Sequence, residues 1–274
     1  MRDLLLRLQN IDRRWLYMTL AIVVTLCLLF PFSLPLYISP QVKSLYDAVE
    51  KVPKDKIVIV ASEWDAGTRG ENLPQTRVIM EHLMRRGIKF AILSQYQQGP
   101  RLAEAVAEEL ARKYNKVYGV DWCNWGYKIG GGMMLQALSR NIPKTIEKDI
   151  RGTPVEKIPM MAGVKDIRDV GLIVVMSGSA VIDSYIAFIR SVYGTPLGFG
   201  CTAVMAPEQY PFLDSGQLVG LLAGLMGAAQ YEKLLSSPGR AMRAMNAQSM
   251  AHLLIIVLIV LGNIGYAMSR GSKR

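Results

Sequence analysis

The sequence predicts an α/β domain built on a Rossmann-like or flavodoxin-like parallel sheet of about five strands, flanked by N- and C-terminal transmembrane helices. Three observations predict it. Uncharged apolar segments at residues 15–38 and 251–268 bracket the chain, each with basic residues on its terminal side. Between them, short β-branched runs alternate with longer amphipathic stretches. Those runs are continuously apolar, as strands covered on both faces must be. The chain thus divides into a basic tail (1–14), a span (15–38), an α/β domain (39–250), a second span (251–268) and a basic tail (269–274).

The first apolar segment is longer than the roughly 20 residues a bilayer core requires. Arg13 and Arg14 precede it, and Trp15 and Tyr17 stand where an aromatic belt would lie. The run is too long for a cleaved secretory signal, and no small-x-small site follows it.

Residues 57–61 (IVIVA), 90–93 (FAIL) and 172–176 (LIVVM) read as buried strands, with weaker candidates at 117–120 and 197–204. Helical periodicity fills the gaps. Residues 75–86 follow Pro74 and stop at Gly87, and residues 100–114 open on Pro100 with apolar positions three to four apart. Residues 180–192 and 216–235 complete the set. The Pro- and Gly-rich stretch 127–170 reads as a long excursion from the sheet, of the kind that carries function or meets a partner.

Within 216–235, the residues Gly216, Gly220, Gly224 and Ala228 recur every four positions. On a helix they form one stripe of small residues that another backbone can approach closely. The last segment, 251–268, is near the minimum spanning length, with His252 and Asn263 its polar members and Arg270, Lys273 and Arg274 behind it.

The two tails supply +5 of the +10 net charge, so the excess on the middle region is small. No basic run with interleaved aromatics appears, which excludes a nucleic-acid binder. Basic tails point to cytoplasmic termini and an extracytoplasmic domain in a plasma (inner) membrane, whereas Lys43, Lys51, Lys54, Lys56, Arg240 and Arg243 argue the other way. The cysteines Cys27, Cys123 and Cys201 lie far apart, and His82 and His252 are the only histidines. Neither a disulfide framework nor a His-based metal site follows from them. The sequence identifies no cofactor.

The stretches YGVDWCNWGYKIGGG, RGTPVEKIPMM, GCTAVMAPEQYPFLDSGQLVGLLAGLMGAAQYEKLL and QSMAHLLIIVLIVLGNIGY together resemble a family of membrane-anchored prokaryotic α/β proteins of unknown function. The resemblance covers most of the chain after Lys56. It implies an α/β domain followed by a C-terminal span, and it brings no catalytic residues.

In an open parallel sheet, ligands bind beyond the carboxyl ends of the strands. Glu63 and Asp65 follow the first strand and Asp121 the third, giving candidates for an acid/base set. The run Lys128, Gly130, Gly131, Gly132 could present backbone N–H groups to an anion, although it lacks established phosphate-loop spacing. Ser177, Gly178 and Ser179 after the fourth strand and Thr202 after the fifth are further ligand-binding candidates. Trp122, Trp125 and Tyr127 could form a stacking platform or plug the end of the sheet. No metal site is expected.

The sequence favours a non-enzymatic ligand- or partner-binding subunit of a membrane complex, with the membrane, copies of itself or other membrane subunits as partners. The alternative is a membrane-anchored hydrolase or transferase using the strand-end carboxylates.

Overall fold

A computed structural model of the chain describes residues 12–30, 35–237 and 239–271. Two compact units result: Tyr37–Pro238, and Met1–Leu36 with Gly239–Arg274.

The first of these units holds a six-stranded sheet, parallel throughout, in the order β3-β2-β1-β4-β5-β6. Its strands are β1 (Ile57–Glu63), β2 (Phe90–Ser94), β3 (Trp122–Tyr127), β4 (Val170–Ser177), β5 (Leu197–Cys201) and β6 (Gly220–Ala223). That is the Rossmann order, not the flavodoxin-like one, and it places the topological switch between β1 and β4.

One face is covered by α2 (Pro40–Glu50), α3 (Arg69–Arg86), α4 (Gly99–Tyr114) and α10 (Gly224–Leu234), around Val58, Val60, Phe90, Ile92, Val174 and Leu222. The other is covered by α5 (Gly131–Arg140), α6 (Ile142–Ile146), α7 (Ile182–Tyr185) and α9 (Ala206–Asp214), around Ile59, Leu93, Cys123, Ile173 and Phe199. Alternate residues of each strand therefore feed opposite cores, which explains the unbroken apolar runs.

Several expectations are corrected. Residues 117–120 form a turn, because the Asp121 carboxylate accepts the Val117 N–H at 2.8 Å and closes it; β3 begins only at Trp122. Helix α3 starts at Arg69 and carries Pro74 inside it. The helix expected over 180–192 is broken by a π turn at Ile186–Arg190 before α8 (Ser191–Tyr193). The stretch 127–170 is an ordered cover of α5, α6 and three short 3₁₀ turns, pinned by Val155, Ile158, Met160 and Ile167 in the core.

The glycine-stripe helix does not exist. Gly216 (φ 72°) and Gly224 (φ 57°) take left-handed conformations that break the segment, and the sixth strand runs between them. The four-residue spacing still marks close approach: a Cβ on Gly220 would strike the Leu45 backbone of α2, so β6 and α2 pack backbone to backbone there.

The second unit holds α1 (Arg13–Leu29) and α11 (Arg240–Gly271), which pack against each other. Within α11, residues Arg240–Ala267 have a mean hydropathy of 2.1 over their most apolar window and are long enough to cross a membrane. Among the described residues α11 is the one helix that meets this standard. As described, α1 has 17 residues, short of the roughly 20 a span needs. Residues 31–34 of the expected first span lie outside the described residues.

Candidate functional site

At the switch point, Glu63 closes β1 and pairs in register with Ser177, the last residue of β4. The strand pattern drives Glu63 inward, where it is 1 % exposed. Its carboxyl accepts the Tyr185 hydroxyl at 2.6 Å and the Gln95 N–H at 2.7 Å. Burial pushes this carboxyl above the usual range, against the opposing effect of those donors. Tyr185 is fully buried, and burial together with the neighbouring carboxyl holds its hydroxyl well above its ordinary value.

Above Glu63 the loops after β2 and β4 meet. Tyr96 donates its hydroxyl to Ser179 Oγ at 2.9 Å, and Ser179 N–H donates to Ser177 Oγ at 3.0 Å. Gly178 has no room for a side chain, since a Cβ there would strike the methyl of Thr68 and come within 3.4 Å of that of Thr202. At the place where an open α/β sheet reserves a crevice for a ligand, the protein's own hydroxyls and carboxyl thus bond to one another.

Of the residues singled out in the sequence, the structure gathers Glu63, Ser177, Gly178, Ser179 and Thr202 here. Asp65 accepts the Gly67 N–H at 2.8 Å and shapes the following turn. Asp121 lies at the amino end of β3, the opposite end of the sheet from Glu63, so the three carboxylates form no acid/base set. Lys128 turns its ammonium onto the carbonyls of Ile146 (2.7 Å) and Lys148 (3.1 Å), where it holds the turn after α6. Burial lowers its basicity, as expected of an ammonium in a structural role. Gly130 and Gly131 have positive φ (135° and 55°) and turn the chain into α5, while a Cβ on Gly132 would strike the Phe188 ring. Trp122 and Trp125 are core side chains and offer no stacking platform; Tyr127 is exposed. Among the described residues, no group of three His, Cys, Asp or Glu side chains could hold a metal ion.

Sequence reasoning missed Gln95, Tyr96 and Tyr185. The rule that selected the loops after the other strands applies equally to the polar run after β2, and would have named Gln95 and Tyr96. Tyr185 carried no such signal, because nothing local distinguishes it from a core aromatic.

Three cavities lie elsewhere. One of about 660 Å³ runs along α2 beside Lys43, Asp47, Gly171 and Val219. One of about 670 Å³ lies by the end of α4 beside Arg112, Lys116, Tyr118 and Arg151. The third, about 350 Å³, sits at the carboxyl ends of β5 and β6. None of the three is lined by Glu63, Ser177 or Ser179. Compared with family models, curated proteins and solved structures, the chain matches none.

Proposed function

We propose that this chain is a membrane-tethered α/β module that acts by binding, as a non-enzymatic subunit in assemblies with copies of itself or with other membrane subunits. The observation that supports this reading is the self-paired switch point: the Glu63 carboxyl is bonded to Tyr185 and Gln95 beneath the Tyr96–Ser179 contact, so its oxygens between β1 and β4 are engaged by the protein's own donors. The dispersal of Glu63, Asp65 and Asp121 adds support, because general acid/base chemistry needs its groups around one reacting atom.

Tethering at both ends is part of the proposal. Helix α11 supplies one span. The segment from Trp15 onward supplies the other, with Trp15, Tyr17, Ile22, Leu26 and Leu29 of α1 exposed as a lipid-facing helix requires. The basic tails favour cytoplasmic termini with the α/β domain outside, against the opposing charges of Lys43, Lys51, Lys54, Lys56, Arg240 and Arg243. Of this layout, the α/β domain followed by a C-terminal span is what the resemblance to the prokaryotic family implies.

The test is turnover. Detergent-solubilised full chain, offered a panel of phosphoester and glycoside substrates, is expected to convert none of them. Conversion that disappears in Glu63→Gln would replace this reading with the hydrolase or transferase alternative.

A further inference from the structure

Helix α11 has two unlike sides along its apolar half. Leu254, Leu258, Leu261 and Gly265, spaced three and four apart as on one packed face, are half-buried or buried, and α1 is the helix packed on α11. The opposite side is open. Ile256 and Ile259 are each 57 % exposed there, and Asn263, about one turn beyond Ile259, is exposed beside them.

Isoleucine suits lipid, but a carboxamide does not. At about 1.5 Å rise per residue, Asn263 lies about 5 Å from the middle of the apolar run 251–268. Its side chain is too short to reach the headgroups from that depth, as a lysine or arginine would. It forms no hydrogen bond among the described residues. His252 faces the same way about three turns earlier, yet it stands at the end of the run, where water and headgroups reach it. In hydrocarbon every unmet donor and acceptor is costly, so a deep amide bonds across a helix interface.

Two features make a second copy the fitting partner. Copies inserted in one orientation carry Asn263 at one depth, and a carboxamide holds both a donor and an acceptor, so two of them satisfy each other across a two-fold axis. The second feature is Gly262, which is also exposed. A Cβ there would meet nothing within 4 Å, so no described contact within the chain calls for glycine in this helix interior. Its missing side chain lets a second backbone come close beside the amide.

We infer that α11 pairs with α11 of a second copy of this chain, the Asn263 amide of each donating to the side-chain oxygen of the other. The inference rests on the reading of α11 as a span in a self-associating module and names the surface by which the copies meet.

The test is oxidative cross-linking of the full chain in its membranes. Ile259→Cys, on the Asn263 side, is expected to give a disulfide-linked dimer above the wild-type level, and Val257→Cys, exposed on another side, is not. Adding Asn263→Leu to Ile259→Cys is expected to lower the dimer yield at least fivefold, whereas Asn263→Gln, which keeps donor and acceptor, is expected to retain it. Alkaline carbonate extraction of the same membranes reports on the span separately. A chain that stays in the membrane but gives no dimer, or a dimer unmoved by Asn263→Leu, overturns the inference and leaves the span reading intact. Cross-linking of Ile259→Cys to a chain of different mass instead of a second copy overturns it as well. Release of the chain by carbonate overturns the span reading and the inference with it.

Discussion

His82 Nδ1 lies 2.7 Å from the Tyr231 hydroxyl, with both residues buried. On the other side of the ring, Nε2 lies 2.8 Å from Glu50 Oε1, and Arg86 Nε holds the second oxygen of that carboxylate at 3.1 Å. Tyr46 stacks on the imidazole with centroids 4.4 Å apart. One neutral imidazole, donating to Glu50 and accepting from Tyr231, therefore joins α2, α3 and α10. Burial lowers its basicity, reinforced by Arg86 and Arg85, although Glu50 pulls the other way.

A pH dependence follows. Below about pH 6.5 the unfolded chain takes up a proton that folded His82 resists, so this site's contribution is complete above that value and shrinks as the pH falls. Melting temperature measured from pH 7.5 down to pH 5.5 is expected to drop. In His82→Phe the drop should be shallower from a lower starting point, since about 1–3 kcal/mol is lost for each buried group left unpaired. An unchanged slope in the variant would show that His82 is not the titrating group.

Glu63 titrates with the opposite sign. Its raised carboxyl keeps a proton that the unfolded chain has released, so its contribution is complete in acid and declines as pH rises above the ordinary carboxylate range. Glu63→Gln is expected to flatten that decline in chemical denaturation curves. Glu63→Leu is expected to destabilise the domain at every pH, because the Tyr185 hydroxyl and Gln95 N–H each lose their acceptor, at about 1–3 kcal/mol apiece. A Glu63→Leu protein as stable as the wild type would contradict the buried network.

Gly220→Leu is expected to lower thermal stability without changing particle size in detergent. The added side chain must push β6 off α2 at Leu45, and overpacking typically costs about 1–3 kcal/mol. Gly224→Leu adds the strain of a left-handed backbone and a collision with Glu71 and Ala203, so its loss should be larger. A folded variant that runs as a smaller species would mean that the glycines face another subunit.

The parallel sheet, its central strands and the helices on either side were legible because burial on both faces leaves continuous apolar runs such as that of β1. The position of β3 was not, since Val117 and Val120 are as β-branched as a strand, and only the turn closed by Asp121 excludes them. β6 was hidden by glycines whose spacing imitates a helix face, a case in which periodicity cannot separate a helix from a turn, a short strand and a new helix. At the switch point, the strand-end rule found Glu63 and Ser177. It could not tell that Tyr185 would arrive from across the fold to bond the Glu63 carboxyl.

The proposal that both ends of the chain are anchored in one membrane, with the domain between them, is tested most directly by site-specific labelling. Cys27, Cys123 and Cys201 are all buried, so maleimide labelling reports on an introduced cysteine. In intact bacterial cells, a membrane-impermeant maleimide is expected to label Lys54→Cys, and to reach Arg2→Cys and Lys273→Cys only after permeabilisation. Arg2→Cys and Lys273→Cys labelled from opposite sides would contradict tethering at both ends, and Lys54→Cys labelled only after permeabilisation would place the domain in the cytoplasm.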